Sequence, residues 1–275
     1  MISRTERGLN YVILALFAAF ALGPIITIVV SALGPDDSAV GAESTAQIAG
    51  LHIGNFAAAW DIGHLGSYLR TSLLVSVFVV AVAVVLSILS GYALGTMRFR
   101  GATVLFYLFL LGIMMPSEAI VVPLYFDLRT VGLTDTFWAV ALPQVAQSVA
   151  FGTFWMRSYF RSSSRAIVEA ARLDGASTGA VLWRVLVPIA RPAVVTLIVL
   201  IFMWTWNEFL IPLVMVTAES LRTAPLGLAF FQGQHTQGFT LLAAGAVIVA
   251  TPVVIVYLFL QRHFIAGMLE GAVRE

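Results

Sequence analysis

The chain has 275 residues, of which 60% are hydrophobic and 11% charged, with a mean hydropathy of +0.97 and a formal net charge of +1. These values exclude an ordinary soluble protein and predict an all-α integral membrane protein, with one membrane domain over residues 1–275. The absence of cysteine excludes disulfides and Cys-ligated zinc. All 15 basic residues are arginine, so the lysine-containing phosphate loop of ATP-hydrolysing proteins is absent, and no basic run indicates nucleic acid.

Six segments are apolar over about 20 residues or more, the length that crosses a hydrocarbon core of about 30 Å. They lie near residues 10–33, 71–97, 102–126, 136–156, 192–217 and 238–261. The first is longer than the apolar core of an export signal, so we expect it to be retained. The acidic segment after it, residues 34–67, is expected to be an outer loop available to an extracytoplasmic partner. Prolines in or near the spans, such as Pro116 and Pro212, are expected to kink helices.

Two charged residues fall inside these spans, Glu118 in the third and Glu208 in the fifth. A charged side chain costs about 2.5–3.5 kcal/mol at the centre of a membrane helix, so each is expected to face the bundle interior or a water-filled cavity. Trp206 and Asn207 add an aromatic face and an amide that suit a sugar. These four residues are the predicted substrate pathway. A second interpretation is structural, with each glutamate satisfied by neighbouring helices and backbone groups.

A polar segment of about residues 160–190 separates the fourth and fifth spans. Hydroxyls at Ser162 to Ser164 can cap a helix start. Ile167, Ala170 and Ala171 then recur at the spacing of one apolar helical face. The pattern predicts a short amphipathic helix of small residues.

The same segment contains signals for a bend and a second helix. Gly175 is expected to take the left-handed conformation that ends the first helix. Ser177 or Thr178 can cap a second helix that runs to Pro188, where the turn into the fifth span is expected. The segment is therefore predicted to be a helix-turn-helix that docks a partner, or else a loop that packs on its own bundle.

Arginine placement orients the spans. One side carries 12 arginines: Arg4, Arg7, Arg98, Arg100, Arg157, Arg161, Arg165, Arg172, Arg184, Arg191, Arg262 and Arg274. The other side carries Arg70, Arg129 and Arg222. Because short cytoplasmic loops are enriched in basic residues, both termini and the 160–190 segment are predicted to be cytoplasmic.

Several motifs resemble one protein family over most of the chain. They are Glu169-Ala170-Ala171 with Asp174-Gly175 and Pro188, Val122-Pro123-Leu124-Tyr125, Gly132-Leu133-Thr134-Asp135-Thr136, Trp206-Asn207-Glu208-Phe209, Pro225-Leu226-Gly227-Leu228, Phe231-Gln232-Gly233-Gln234, and the ending Leu260-Gln261-Arg262 to Gly271-Ala272-Val273. Together they resemble permease subunits of bacterial ABC importers, in particular the sugar-importer group related to the second maltose permease subunit. Val187 departs from the leucine usual before the proline.

The resemblance implies a transport role and a set of partners. A permease of this kind forms half of a pathway for a carbohydrate or polyol, beside a second permease subunit in the bacterial inner membrane. It is not an enzyme and binds no cofactor, because ATP and Mg belong to two cytoplasmic ATPase subunits, while an extracytoplasmic binding protein delivers the solute. The residues that this resemblance assigns to ATPase coupling are Glu169, Ala170, Ala171, Asp174, Gly175 and Pro188.

Two other functions remain open on the residues alone. Glu118 and Glu208 as a titrating pair would suit an ion-coupled carrier, which needs no ATPase. A membrane scaffold would use the 160–190 segment only for recruitment. His52 and His64 share the outer loop, but their spacing matches no metal motif, and solvated loop histidines are the simpler interpretation.

Overall fold

A computed structural model describes residues 4–35, 51–162, 165–234 and 239–272, and over these residues the chain is helical with no strand. The helices are α1 (Arg4–Ala32), α2 (Gly54–Ile62), α3 (Leu65–Thr96), α4 (Ala102–Met114), α5 (Ser117–Thr130), α6 (Phe137–Ser162), α7 (Arg165–Leu173), α8 (Thr178–Ala180), α9 (Val187–Ile189), α10 (Arg191–Asn207), α11 (Leu210–Met215), α12 (Ala224–Gln234) and α13 (Phe239–Ala272). A π-helical turn, Val181–Leu186, joins α8 to α9. The all-α prediction is confirmed. Ser163 and Ser164, two of the predicted capping residues, lie outside the described residues.

The chain folds as two compact units. One membrane domain over residues 1–275 stays a prediction. The first unit comprises residues 1–66 and 227–252, and it is held by a small alanine cluster and by Asn55, whose side-chain amide donates to the carbonyls of Ala32 and Gly34. The second unit comprises residues 67–226 and 253–275, and it contains the large apolar core and every site described below.

Three single helices are long and apolar enough to cross a membrane: Glu6–Ala32, Leu65–Thr96 and Phe239–Gln261. Two bent helix pairs also qualify by length and composition, so the described residues supply up to five spans. The predicted span at 136–156 falls on α6, which is longer than predicted and carries Gln144, Gln147 and Ser148 near its middle. Those polar side chains lower its hydropathy, and the count of six spans stays a prediction.

The predicted third span is not one continuous helix. It is broken at Met115 and Pro116, where α4 and α5 meet at 101°. Proline has no backbone N–H and disfavours helical geometry in the residue before it, and Met115 accordingly has ψ 121°. Pro116 was expected to interrupt helical hydrogen bonding and permit a kink, and the 101° bend lies at this position.

The predicted fifth span is broken as well, at Glu208. This residue has ψ 124°, so α10 ends at Asn207 and the six-residue α11 follows. Pro212 explains the position, because a proline ring clashes with the carbonyl four residues earlier in a continuous helix, and that carbonyl belongs to Glu208. The break places a carboxylate at the junction of two helices.

Close packing of α3 against α6 fixes the centre of the second unit. A Cβ atom built on Gly91 would lie 2.6 Å from Met156 Cβ and 2.9 Å from Arg157 N, and one built on Gly152 would lie 2.7 Å from Ser87 Cβ. Real Cβ atoms do not approach so closely, so both positions require glycine. The arrangement is typical of membrane helices that pack through small residues.

Candidate substrate cavity and coupling surface

A cavity of about 500 Å³ lies within the second unit, between α4, α5, α6 and α10. Polar and aromatic side chains mix with apolar ones in its walls, as is typical of binding sites. The lining residues are Gly112, Ile113, Met115, Ser117, Gln144, Gln147, Ser148, Phe151, Leu200, Met203, Trp204, Thr205, Asn207 and Glu208. Both helix breaks, at Met115 and Glu208, therefore border the cavity.

Two of the four predicted pathway residues, Asn207 and Glu208, line this cavity. Glu208 Oε1 accepts a hydrogen bond from the Ile211 N–H at 3.0 Å and so caps the start of α11. The Asn207 side chain donates from Nδ2 to the Met203 carbonyl at 2.8 Å. Glu208 thus has a backbone partner, as expected if its role is structural, and Asn207 has one as well. Both residues also line the cavity.

The other two predicted residues lie elsewhere. Glu118 is exposed in the first turn of α5 and does not line the cavity. Trp206 is 2% exposed and packs on Phe202, with ring centroids 5.5 Å apart. The paired-glutamate carrier therefore loses its geometric basis, because Glu118 and Glu208 do not line one cavity.

Sequence reasoning missed the polar face of α6. Gln144, Gln147, Ser148 and Phe151 follow one another at the i, i+3, i+4, i+7 spacing of a single helical face, and all four line the cavity. Polar side chains inside a membrane helix mark functional positions as charged ones do. A search for uncharged polar residues at helical spacing would have found this row.

Aromatic rings form a second wall. Trp204, rather than the predicted Trp206, lines the cavity, and its ring meets Phe151 edge to face at 4.7 Å. Phe151 in turn stacks on Trp155, whose indole N–H donates to the Ala193 carbonyl at 3.0 Å. The Trp204 indole is thus held by Phe151, which packs on Trp155, and Trp155 is hydrogen-bonded to the backbone of α10.

Asp135 holds the outer segment that follows α11. It lies in the loop between α5 and α6 with a left-handed φ of 57°, and its N–H donates to the Met215 carbonyl at 2.9 Å. Its Oδ1 accepts from the N–H groups of Thr217 at 2.9 Å and Ala218 at 2.8 Å. These two donors lower the pKa of the Asp135 carboxyl. Asp135 therefore positions the helix whose first turn Glu208 caps.

The predicted bend at Gly175 is present. Gly175 has φ 81°. Two nested hydrogen bonds close the end of α7: the Ala176 N–H donates to the Ala171 carbonyl and the Gly175 N–H to the Arg172 carbonyl, both at 3.0 Å. This pattern is the Schellman motif, which favours glycine at the left-handed position. Ser177 Oγ then accepts from the Ala180 N–H and caps α8.

The turn into the next helix lies two residues after the predicted one. The chain remains helical through Pro188 and turns at Ala190, where the α8–α9 segment and α10 meet at 79°. The preceding π-helical turn accommodates the proline, because a wider turn relieves the clash of its ring with the Arg184 carbonyl.

The surface of α7 differs in part from the predicted one. Val168, Ala171 and Ala176 pack on the large core, whereas Ile167 and Ala170 are exposed, so the three residues predicted to share one helical face, Ile167, Ala170 and Ala171, are not equally buried. The outer surface carries Glu169, Ala170, Asp174, Gly175, and Leu173 with 89% of its side chain exposed. Pro188 is exposed further along. We call the exposed residues Glu169, Ala170, Leu173, Asp174 and Gly175 the coupling surface.

A family model described as "Binding-protein-dependent transport system inner membrane component" matches residues 83–270, more than half of the chain. The chain belongs to this family. The recognition made from the motifs is therefore confirmed.

Individual relatives agree with this family membership. The chain is 33% identical over 264 residues to the probable ABC transporter permease protein YurM of Bacillus subtilis, covering 96% of this chain and 87% of the relative. It is 32% identical over 210 residues to the trehalose transport system permease protein SugB of Mycobacterium tuberculosis, covering 76% and 77%.

A solved structure shows the same fold. It is a bacterial ABC transporter involved in the import of the acidic polysaccharide alginate, 26% identical, with a TM-score of 0.76 over 96% of this chain and 99% of that chain. A second structure, of an alginate transporter in complex with a periplasmic protein that binds an alginate pentasaccharide, is 13% identical with a TM-score of 0.63, and it supports the fold alone.

Proposed function

We propose that this chain is one of two membrane-spanning subunits of an ATP-driven carbohydrate importer. Separate cytoplasmic subunits hydrolyse the ATP. The proposal rests chiefly on one observation: the coupling surface and the cavity lie at the two ends of one run of helices. The run passes from α7 through Gly175, α8 and α9, turns at Ala190, and continues as α10 to Asn207. The 17 residues of α10 span roughly 25 Å, a large part of a membrane core.

This arrangement gives the coupling surface a mechanical role. We propose that Glu169, Ala170, Ala171, Asp174, Gly175 and Pro188 seat against an ATPase subunit. Because Val168, Ala171 and Ala176 tie α7 to the core, a displacement of the coupling surface is carried to α10 rather than absorbed in a loose loop. Movement of α10 against α6 would then open the cavity to one side of the membrane or the other.

Other partners follow from the family and from exposed surfaces. Apolar faces of α1 and α4 are largely exposed, which suits contact with lipid and a second permease subunit. A solute-binding protein would deliver cargo from outside, while ATP and Mg would be bound by the ATPase subunits. The arginine distribution supports a cytoplasmic location for both termini, which is part of the proposal.

The cargo class is inferred from the relatives and the cavity together. Relatives include permeases named for trehalose, arabinooligosaccharides and diacetylchitobiose. The cavity of this chain combines an exposed indole, Trp204, with amides and a carboxylate, Asn207 and Glu208 among them. Aromatic faces beside hydrogen-bonding side chains suit the apolar ring faces and hydroxyl groups of a sugar.

Replacement of Glu169 by lysine tests the coupling role. Glu169 is exposed, so Glu169→Lys should leave insertion intact, while the reversed charge should abolish cargo-stimulated ATP hydrolysis in the reconstituted complex. Arg129→Glu, a charge reversal at the end of α5, is the matched control and should leave ATPase stimulation unchanged.

Copurification tests the assembly itself. The tagged chain, expressed with its native neighbouring subunits, should carry an ATPase and a second permease through purification in mild detergent, as identified by mass spectrometry. Unaltered stimulation in Glu169→Lys would refute the coupling role. A chain that purifies alone and transports sugar in vesicles without ATP would refute the whole proposal.

A further inference from the structure

The amide side chains of the cavity are oriented by hydrogen bonds within the protein. Gln144 donates from Nε2 to the Val140 carbonyl at 3.1 Å, and Asn207 donates from Nδ2 to the Met203 carbonyl at 2.8 Å. A carbonyl can only accept, so the nitrogen of each amide is fixed by its partner. Each amide oxygen is left as an acceptor, and each nitrogen keeps one further N–H.

The oxygen of Gln144 is the most informative of these acceptors. Gln144 is 4% exposed and lines the cavity, and its Oε1 has no hydrogen-bond partner among the described residues. A buried acceptor without a donor is unfavourable, so such groups in native proteins are usually satisfied by a water or a ligand. Less than 1 Å² of this oxygen is accessible, so a ligand donor could complete it only after a local movement of the cavity wall.

The charge of the cavity has one sign. Glu208 uses Oε1 to cap Ile211 and contributes Oε2 to the cavity wall. No arginine or histidine stands among the lining residues in the part of the chain that the structure describes, and the sequence contains no lysine. A carboxylate on a ligand would therefore meet a negative charge and several acceptors, with no cation to compensate.

We propose that this cavity is an anion-excluding subsite for an uncharged, hydroxyl-rich part of the cargo. Sugar hydroxyls donate to the carboxylate of Glu208 and the amide oxygen of Asn207, while a ring face packs on Trp204. The proposal rests on the carbohydrate importer function proposed above and narrows its substrate class to neutral sugars.

Thiol reactivity measures the charge of the cavity without a known cargo. Because the chain has no cysteine, Met203→Cys places a single reporter thiol in the cavity wall. Methanethiosulfonates that carry a sulfonate, no charge or a trimethylammonium group are applied to the assembled complex, and each rate is divided by the rate with a free thiol. Relative to the uncharged reagent, the anionic one should react about 15-fold more slowly and the cationic one about 15-fold faster, as expected for unit charges about 10 Å apart at an effective dielectric of about 20.

Two glutamate variants test whether Glu208 causes the difference in reaction rate. Adding Glu208→Gln, which keeps an oxygen to cap Ile211, should reduce the difference between anionic and cationic reagents by about tenfold or more, since the charge of the carboxylate is removed. Adding Glu118→Gln, the matched control outside the cavity, should leave the difference unchanged. Equal rates for both charges, no effect of Glu208→Gln, or a thiol that none of the reagents reaches would each overturn the proposal.

Uptake into proteoliposomes separates this proposal from the proposed function. Trehalose, maltose and diacetylchitobiose are compared with a disaccharide that carries one glucuronate, with and without ATP. ATP-dependent uptake combined with charge-independent thiol rates would refute the subsite but not the importer. Thiol reaction rates that depend on reagent charge, without any ATP-dependent uptake, would refute the importer function. Preferred uptake of the sugar that carries a glucuronate would refute the subsite.

Discussion

Asp135 shows how much one side chain can organise outside the membrane spans. Its carboxylate joins the α5–α6 loop to a segment more than 80 positions later by accepting two backbone N–H groups. Aspartate and asparagine tolerate the left-handed conformation that Asp135 adopts better than other residues with side chains. The residue type therefore meets two demands, one for backbone geometry and one for hydrogen bonding.

Replacement of Asp135 by alanine is expected to destabilise the segment after α11. Asp135→Ala loses the oxygen that accepts both hydrogen bonds and strains the backbone at its left-handed φ. Asp135→Asn keeps an amide oxygen and tolerates the same backbone. Amide hydrogen exchange at Thr217 and Ala218 should be faster in Asp135→Ala than in the wild type, with Asp135→Asn close to the wild type. Equal exchange in all three proteins would show that the carboxylate does not hold this segment.

The same carboxyl group gives an expected dependence of stability on pH. Its pKa is lower in the folded protein than in the unfolded chain, because the Ala218 and Thr217 N–H groups favour the ionised form. The stabilisation is therefore fully present above the ordinary aspartate pKa of about 3.9, and it is lost as pH falls through the lower folded-state value. The thermal stability of the wild type relative to Asp135→Ala should decline over that acidic window, and a constant difference would contradict the assignment.

At the scale of elements, the contact of α3 with α6 depends on atoms that glycine lacks. Gly91→Ala would force its new methyl group against Met156 Cβ and the Arg157 N–H, both of which are fixed by the helix backbone. Overpacking of this kind costs about 1–3 kcal/mol. We expect a lower thermal unfolding midpoint in detergent for Gly91→Ala. Gly23→Ala, in α1 with no atom within 4 Å of the added carbon, is the control and should unfold like the wild type.

The sequence predicted elements best where the deciding chemistry is local. The bend at Gly175 and the cap at Ser177 each depend on residues within a few positions, and both were placed correctly. The breaks at Met115 and Glu208 were missed, since a proline in an apolar run is compatible with either a kink or a full break. Neighbouring helices decide between these outcomes, because they supply or deny partners for the freed backbone groups.

The cavity was only partly predictable for a related reason. Glu208 was found because charge inside an apolar run is conspicuous, and Asn207 because it adjoins Glu208 and its amide suits a sugar. Gln144, Gln147 and Ser148 carry no charge and are distant from Glu208 in sequence. Glu118 was chosen by the same criterion, but the break at Pro116 places it in the first turn of α5, outside the cavity. Asp135 was noted only within a family motif, since its partners at Thr217 and Ala218 are distant in sequence.

At the scale of the whole molecule, the coupling surface exposes a hydrophobic side chain among charged residues, a setting in which contact with lipid does not explain the exposure. Leu173 ends α7 beside the charged residues Arg172 and Asp174, and it is almost fully exposed. A leucine in such a polar setting is expected to be covered by a partner protein in the assembled transporter.

Replacement of Leu173 by aspartate should therefore weaken binding of the ATPase. Leu173→Asp is expected to lower the amount of ATPase recovered with the chain by about tenfold or more, as for loss of a buried interface anchor worth about 2 kcal/mol. Leu51→Asp, a change of another exposed leucine just before α2, is the matched control and should retain the ATPase. Full recovery of the ATPase with Leu173→Asp would show that this leucine is not part of the interface.

The early end of α10 has a consequence for the electric field in the cavity. Peptide dipoles aligned along a helix leave about half a negative elementary charge at the carboxyl end, and the last carbonyl groups lack partners within the helix. That end, at Asn207, borders the cavity. The main chain thus adds its own negative potential to that of the carboxylate, so neutralising Glu208 alone should leave a residual bias against anions. Conversion to acidic cargo would require a new cation, such as an arginine on the α6 face, as well as the loss of a glutamate.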